Sequence, residues 1–179
     1  MPSPTLPGPP VARLLETLRR SFDGEAWHGP SLREALDGCS AASAAARPIP
    51  GAHSVWELTL HLAAWADEVA ARTAGTSPGL PAVGDWPPVP DVHDEPAWRA
   101  ARETLTTARD RLLAAVAALD PARLDRPLPP PASDSPPPAA DALGTRDTLH
   151  GMILGLAEHN AYHGGQIVLL RRALAGGAP

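Results

Sequence analysis

Most of the 23 prolines in this chain of 179 residues fall into three stretches, 1–10, 76–94 and 120–144. Proline has no backbone N–H to donate and its ring clashes with the preceding helical turn, so these stretches interrupt regular structure. The segments between them must carry the fold. In those segments apolar residues recur every three or four positions and β-branched residues are scarce, which favours helices over strands. Val11, Leu14, Leu15, Leu18 and Phe22, for example, share one helical face. The expectation is an all-α fold.

Local chemistry sets the helix boundaries. Ser31-x-x-Glu34 reads as a capping box for a short helix through Leu36 that Gly38 ends. Ser54-x-x-Glu57 opens a long helix from about Val55 to Thr73, stopped near Gly75. Pro96 in the first turn and Pro121 beyond the end frame a helix from about Pro96 to Leu119. Thr145 is placed to cap a last helix through Ala175. One shorter leading helix and three long ones describe a four-helix bundle, expected as a single domain over 11–179 behind a flexible arm at 1–10. The long proline-rich connections are unusual in a compact domain, and the one at 120–144 is expected to be mobile or to lie over the surface as a lid.

Composition narrows the function. With 15 Lys+Arg against 20 Asp+Glu the net charge is -5, and no basic cluster could track a phosphate backbone, so nucleic acid is not expected as a partner. The longest strongly apolar run, residues 112–119, is too short to cross a bilayer, and the N-terminus lacks the apolar core of an export signal. A protein without a membrane partner is expected. The single Cys39 cannot form an internal disulfide, which fits the cytoplasm, and it has no sequence neighbour to activate it, so it reads as a structural thiol.

The segment AEHNAYHGGQ, 157–166, carries the chemistry. At about 100° per residue His159 and His163 lie about 40° apart around the axis and about 6 Å along it, near enough to share one ion. A bare His-x3-His pair also occurs among ordinary surface or core histidines. The face decides more: Met152, Leu156, Tyr162, His163, Gln166, Ile167 and Leu170 fall near His159, while His150, Gly164, Arg171 and Arg172 fall on the far side. Buried imidazoles need partners, and a metal ion would satisfy both. The Ser54 helix offers a third ligand, His61, on one face with Leu58, Trp65, Glu68 and Arg72. Three imidazoles from two helices leave a coordination position open.

The other polar residues are weighed against blander roles. Glu57 is most simply a capping residue and Glu68 a partner for Arg72 at i, i+4, although either could orient a histidine. Gln166, one turn beyond His163, could hydrogen-bond near the ion or satisfy a core position. His28, His53, His93 and His150 read as surface residues. Trp56, Trp65 and Trp98 read as packing. Gly164 and Gly165 weaken a helix by about 1 kcal/mol each, which implies close approach of another helix or of a second subunit.

The stretches HSVWELTLHLAAW, 53–65, and GLAEHNAYHGGQIVLLRR, 155–172, resemble the two signature segments of the DinB-like (DinB/YfiT) superfamily of metal-dependent enzymes. The family's name derives from induction by DNA damage, a stress response. The resemblance implies a four-helix bundle of up-down-down-up topology, commonly a homodimer, with a His₃ site for zinc, nickel or a similar divalent ion. Carried over by motif, the ligands fall on His61, His159 and His163. Relatives with assigned activities are thiol-dependent transferases and isomerases using bacillithiol, mycothiol or glutathione, which implies a metal-dependent thiol S-transferase acting on a small electrophile. The alternatives are a metal-dependent hydrolase, for which no carboxylate is an obvious general base, and a non-catalytic bundle whose site is structural, vestigial or only a set of mutually hydrogen-bonded histidines.

Overall fold

The computed structural model describes residues 10–90, 94–130 and 148–176, and among these it contains helices and no sheet. Six α-helices follow in order: α1 Pro10–Asp23, α2 Leu32–Leu36, α3 Ala41–Ala45, α4 Val55–Ala74, α5 Glu95–Ala117 and α6 Leu149–Gly176. The four long ones, α1, α4, α5 and α6, form the bundle. Of the expected arm at 1–10, Pro10 opens α1 and residues 1–9 lie outside the described residues, as do His93, Thr145 and residues 131–144 of the connection at 120–144.

Both capping boxes form as the residue types require. Ser54 N–H donates to Glu57 Oε2 at 2.7 Å and Glu57 N–H donates back to Ser54 Oγ at 3.2 Å. The same exchange joins Ser31 and Glu34. At the far end of α4, Gly75 adopts φ 114°, a left-handed conformation that only glycine takes without strain. The start of α6 is capped by Thr148, whose Oγ1 accepts from Gly151 N–H at 3.2 Å. The sequence reading missed α3, where Ser40 accepts from Ser43 N–H.

Packing fixes the order of the rods. Trp56 at the start of α4 meets Trp98 at the start of α5, with ring centroids 5.2 Å apart, and further along Arg111 of α5 pairs with Asp67 of α4 at 2.8 Å. Helices α4 and α5 therefore run parallel. In contrast α6 begins beside residues that adjoin the end of α4: His150 N–H donates to Leu124 O at 2.9 Å, and the neighbouring Arg123 donates to Thr73 O at 3.4 Å. So α6 runs against α4, the down-down-up part of the expected order. The core between the rods is built from Leu18, Leu62, Leu112, Val116, Ile153 and Ile167, all fully buried. Cys39 is buried too, and burial pushes its thiol pKa up, consistent with an inert structural residue.

Two details of α6 depart from the sequence reading. Tyr162, placed by the helical wheel near the inward face, is 65% exposed, whereas Gly164, placed on the far side, is buried against Leu32 of α2. The reason is that α6 touches α1, α2 and α4, so its buried surface wraps farther round the helix than a single stripe. A Cβ at Gly164 would lie 3.5 Å from Leu32 Cδ2, ordinary contact, and at Gly165 it would meet open space. Neither glycine is required by a neighbouring helix of the same chain.

Candidate metal centre

The three histidines converge. His61 on α4 and His163 on α6 are buried and His159 is half-buried, and their potential ligand atoms all lie within 4.8 Å of one another. The closest pair, His61 Nε2 and His159 Nε2, is 3.0 Å apart. Ring centroids lie 4.4 Å apart for His159 and His163 and 4.8 Å for His61 and His163. Two nitrogens bound tetrahedrally to one ion at about 2.05 Å would sit about 3.3 Å apart, so small side-chain movements would bring all three onto a common ion.

The hydrogen bonds on the other ring nitrogens fix which lone pairs face inward. His61 Nδ1–H donates to the carbonyl oxygen of Asp85 at 2.7 Å, which leaves Nε2 as a bare acceptor. His163 Nδ1–H donates to Gln166 Oε1 at 2.6 Å, freeing its Nε2 in the same way. His159 has no such partner: its Nδ1 is buried with no hydrogen bond. In the metal-free protein a proton on His159 Nε2 bridges to His61 Nε2. Two Nε2 atoms free of protons, on His61 and His163, beside a third neutral imidazole are a donor set that would fit a divalent cation.

Burial keeps all three rings neutral. It is the main cause that lowers the pKa of each histidine, to about 3 for His159 and about 4 for His163, with repulsion from the neighbouring imidazoles adding to it. Neutral imidazole is the form that binds a metal.

Residues the sequence left in a loop complete the site. Asp85 and Trp86 belong to the proline-rich connection after α4, yet Trp65 Nε1–H donates to Asp85 Oδ1 at 2.8 Å and the Trp86 ring stacks on His61 with centroids 4.0 Å apart, nearly parallel at 10°. On its other face Trp86 stacks against His53 at 3.5 Å. His53 is exposed as expected but joins the rim of the site. Trp65 is buried as expected, yet it also anchors Asp85. The signal for these residues was a lone Asp-Trp among prolines, too short to have any periodicity.

The remaining candidates are engaged elsewhere. Glu57 accepts from Ser54 and from Arg47 Nη2 at 2.6 Å. Glu68 pairs with buried Arg72 at 2.7 Å and accepts from Gly79 N–H at 3.2 Å. Trp56 and Trp98 are core, the latter donating to Cys39 O at 2.7 Å. His28 and His150 are exposed.

An all-α bundle with a cluster of three imidazoles able to coordinate a divalent metal defines a class of metal-site proteins. Residues 26–167 match the family model of the DinB superfamily, and the chain belongs to that family. No functionally curated protein and no solved structure matches it. Family and histidine cluster together are consistent with a metal-dependent enzyme. No helix among the described residues is long and apolar enough to cross a membrane.

Proposed function

We propose that His61, His159 and His163 hold one divalent ion, zinc or nickel, and that the protein is a cytoplasmic, metal-dependent S-transferase joining a low-molecular-weight thiol to a small electrophile. The observation that carries this reading is the convergence of three imidazoles from two helices with no fourth His, Cys, Asp or Glu in the cluster among the described residues. A closed structural site normally recruits four protein ligands, whereas three leave a position for a small molecule. When bound, the ion would supply positive charge that lowers the pKa of a thiol at neutral pH.

The chain's own groups do the rest. Asp85 O and Gln166 Oε1 hold His61 and His163 in the orientation and tautomer that aim Nε2 inward. Trp86 and Tyr162, 37% and 65% exposed, flank His163 with ring centroids at 6.2 Å and 4.9 Å and offer apolar walls for the body of the electrophile. In the transfer, the thiol loses its proton to water, sulfur bonds to the electrophilic carbon, and the leaving group departs with its electron pair. Hydrolysis would need a general base beside the open position. Asp85 lies instead on the Nδ1 side of His61, at 3.3 Å, with Oδ1 taken up by Trp65, which favours transfer.

Elemental analysis of untagged protein tests the site: stoichiometric metal in the wild type, lost in His61→Ala, is expected, and a stable metal-free wild type refutes it. Metal-loaded protein is then assayed with bacillithiol, mycothiol and glutathione against a panel of alkylating electrophiles. S-conjugates formed with one thiol, and with none in His61→Ala, are expected, while hydrolysis without added thiol would favour the hydrolase.

A further inference from the structure

Residues 79–86 are pinned along α4 by a series of contacts that general packing does not demand. At one end the buried Arg72 donates to Gly79 O at 2.6 Å while Glu68 accepts from Gly79 N–H. At the other, Trp65 Nε1–H donates to the Asp85 carboxylate, and the Asp85 carbonyl accepts from His61 Nδ1–H. Trp86 follows immediately and covers one face of His61. Nearest His61 the loop's side-chain anchor is the hydrogen bond from Trp65 to Asp85, on the helix that also bears His61, and the same carboxylate oxygen lies 3.3 Å from His61 Nδ1.

We infer that Asp85 and Trp65 are positioning residues for the metal centre, and that this strap sets its metal affinity by locking the His61 tautomer and ring plane. The inference rests on the metal-binding reading of the histidines. A carbonyl partner on the outer nitrogen of a metal-bound histidine keeps the inner nitrogen free of a proton and adds to its basicity, so its loss weakens metal binding by about 10- to 100-fold. The Asp85 side chain steadies that carbonyl through its own bond to Trp65, beside the His61 ring. Without its bond to Trp65 the carbonyl drifts from His61 and Trp86 loses its seat, although no ligand atom has been altered. What matters at position 85 is an oxygen that accepts from an indole N–H, not a negative charge.

The test measures zinc affinity by competition with a chromophoric chelator, together with the visible spectrum of the cobalt(II)-substituted protein and the melting temperature of the metal-free protein. Asp85→Ala and Trp65→Phe, which keeps an aromatic ring, are expected to weaken zinc binding about 10- to 100-fold and to shift the cobalt bands, with at least one of the two leaving the metal-free melting temperature unchanged. Asp85→Asn retains an oxygen acceptor for Trp65 and is expected to stay within about threefold of the wild type. Equal loss in Asp85→Asn and Asp85→Ala overturns the hydrogen-bond role in favour of charge. Unchanged zinc affinity in Asp85→Ala and Trp65→Phe, with stoichiometric zinc in the wild type, overturns the strap and leaves the metal site standing. A wild type that takes up no zinc overturns both.

Discussion

At the scale of single residues, the outer nitrogens of the histidines are as informative as the inner ones. His163 owes its orientation to Gln166, three positions on along the same helix, so Gln166→Leu should keep the fold and lower metal affinity by about 10- to 100-fold. Isothermal titration of the metal-free variant with zinc checks this, and unchanged affinity would assign Gln166 to packing alone. His163→Ala should abolish stoichiometric metal, because two imidazoles remain where three converge; mass spectrometry under native conditions reads the loss directly. The histidine cluster was legible in the sequence because 159 and 163 obey helical geometry and His61 shares a face with Leu58 and Trp65. Asp85 was not, because a contact between a loop carbonyl and an imidazole leaves no trace in periodicity or composition.

At the scale of the element, α4 matters most, since it carries both His61 and Trp65, the anchor of the strap. Its capping box should be worth about 1 kcal/mol, so Ser54→Ala is expected to lower stability by about that amount in urea denaturation. The box also titrates. Burial tends to raise the Glu57 pKa, but the Ser54 N–H, the Arg47 guanidinium and the Ser54 hydroxyl outweigh it and hold the carboxyl below its ordinary 4.5. A carboxylate whose pKa is lowered by folding contributes stability that is present above 4.5 and lost as pH falls through the lowered value. Denaturation at pH values from about 6 down to about 3 should therefore show the wild type losing its advantage over Glu57→Gln; a constant gap would remove the carboxylate from the account. Helix starts of this kind were readable because serine and glutamate at that spacing do one thing well. Helix α3 was not, because five residues of alanine and serine carry no amphipathic stripe.

At the scale of the whole molecule, the outward side of α6 mixes exposed apolar and charged residues. Leu154 and Leu169 are exposed there, on one face with the open Gly165 and with Glu158 and Arg172. We propose that this face meets its counterpart on a second copy of the chain, in keeping with the homodimer that the family resemblance implies, and with small residues allowing close approach. Sedimentation velocity should give a dimer for the wild type and a monomer for Leu169→Glu, with helical content unchanged by circular dichroism; a monomeric wild type would end that proposal. Fold class was plain from the sequence because proline-free segments with helical periodicity admit little else. Relative directions of the rods came from the family resemblance alone, since those depend on which ends meet.

The shared direction of α4 and α5 has a consequence for how such a protein can vary. Two adjacent rods pointing the same way oblige the chain to travel back about 30 Å, the length of a 20-residue helix, before it can start again. That journey passes Arg72, then Trp65, then His61, so topology brings the return leg past the histidines and the contacts of Gly79 and Asp85 hold it there. Changes of length or sequence in it would remodel the mouth of the centre while leaving the scaffold and the three imidazoles as they are.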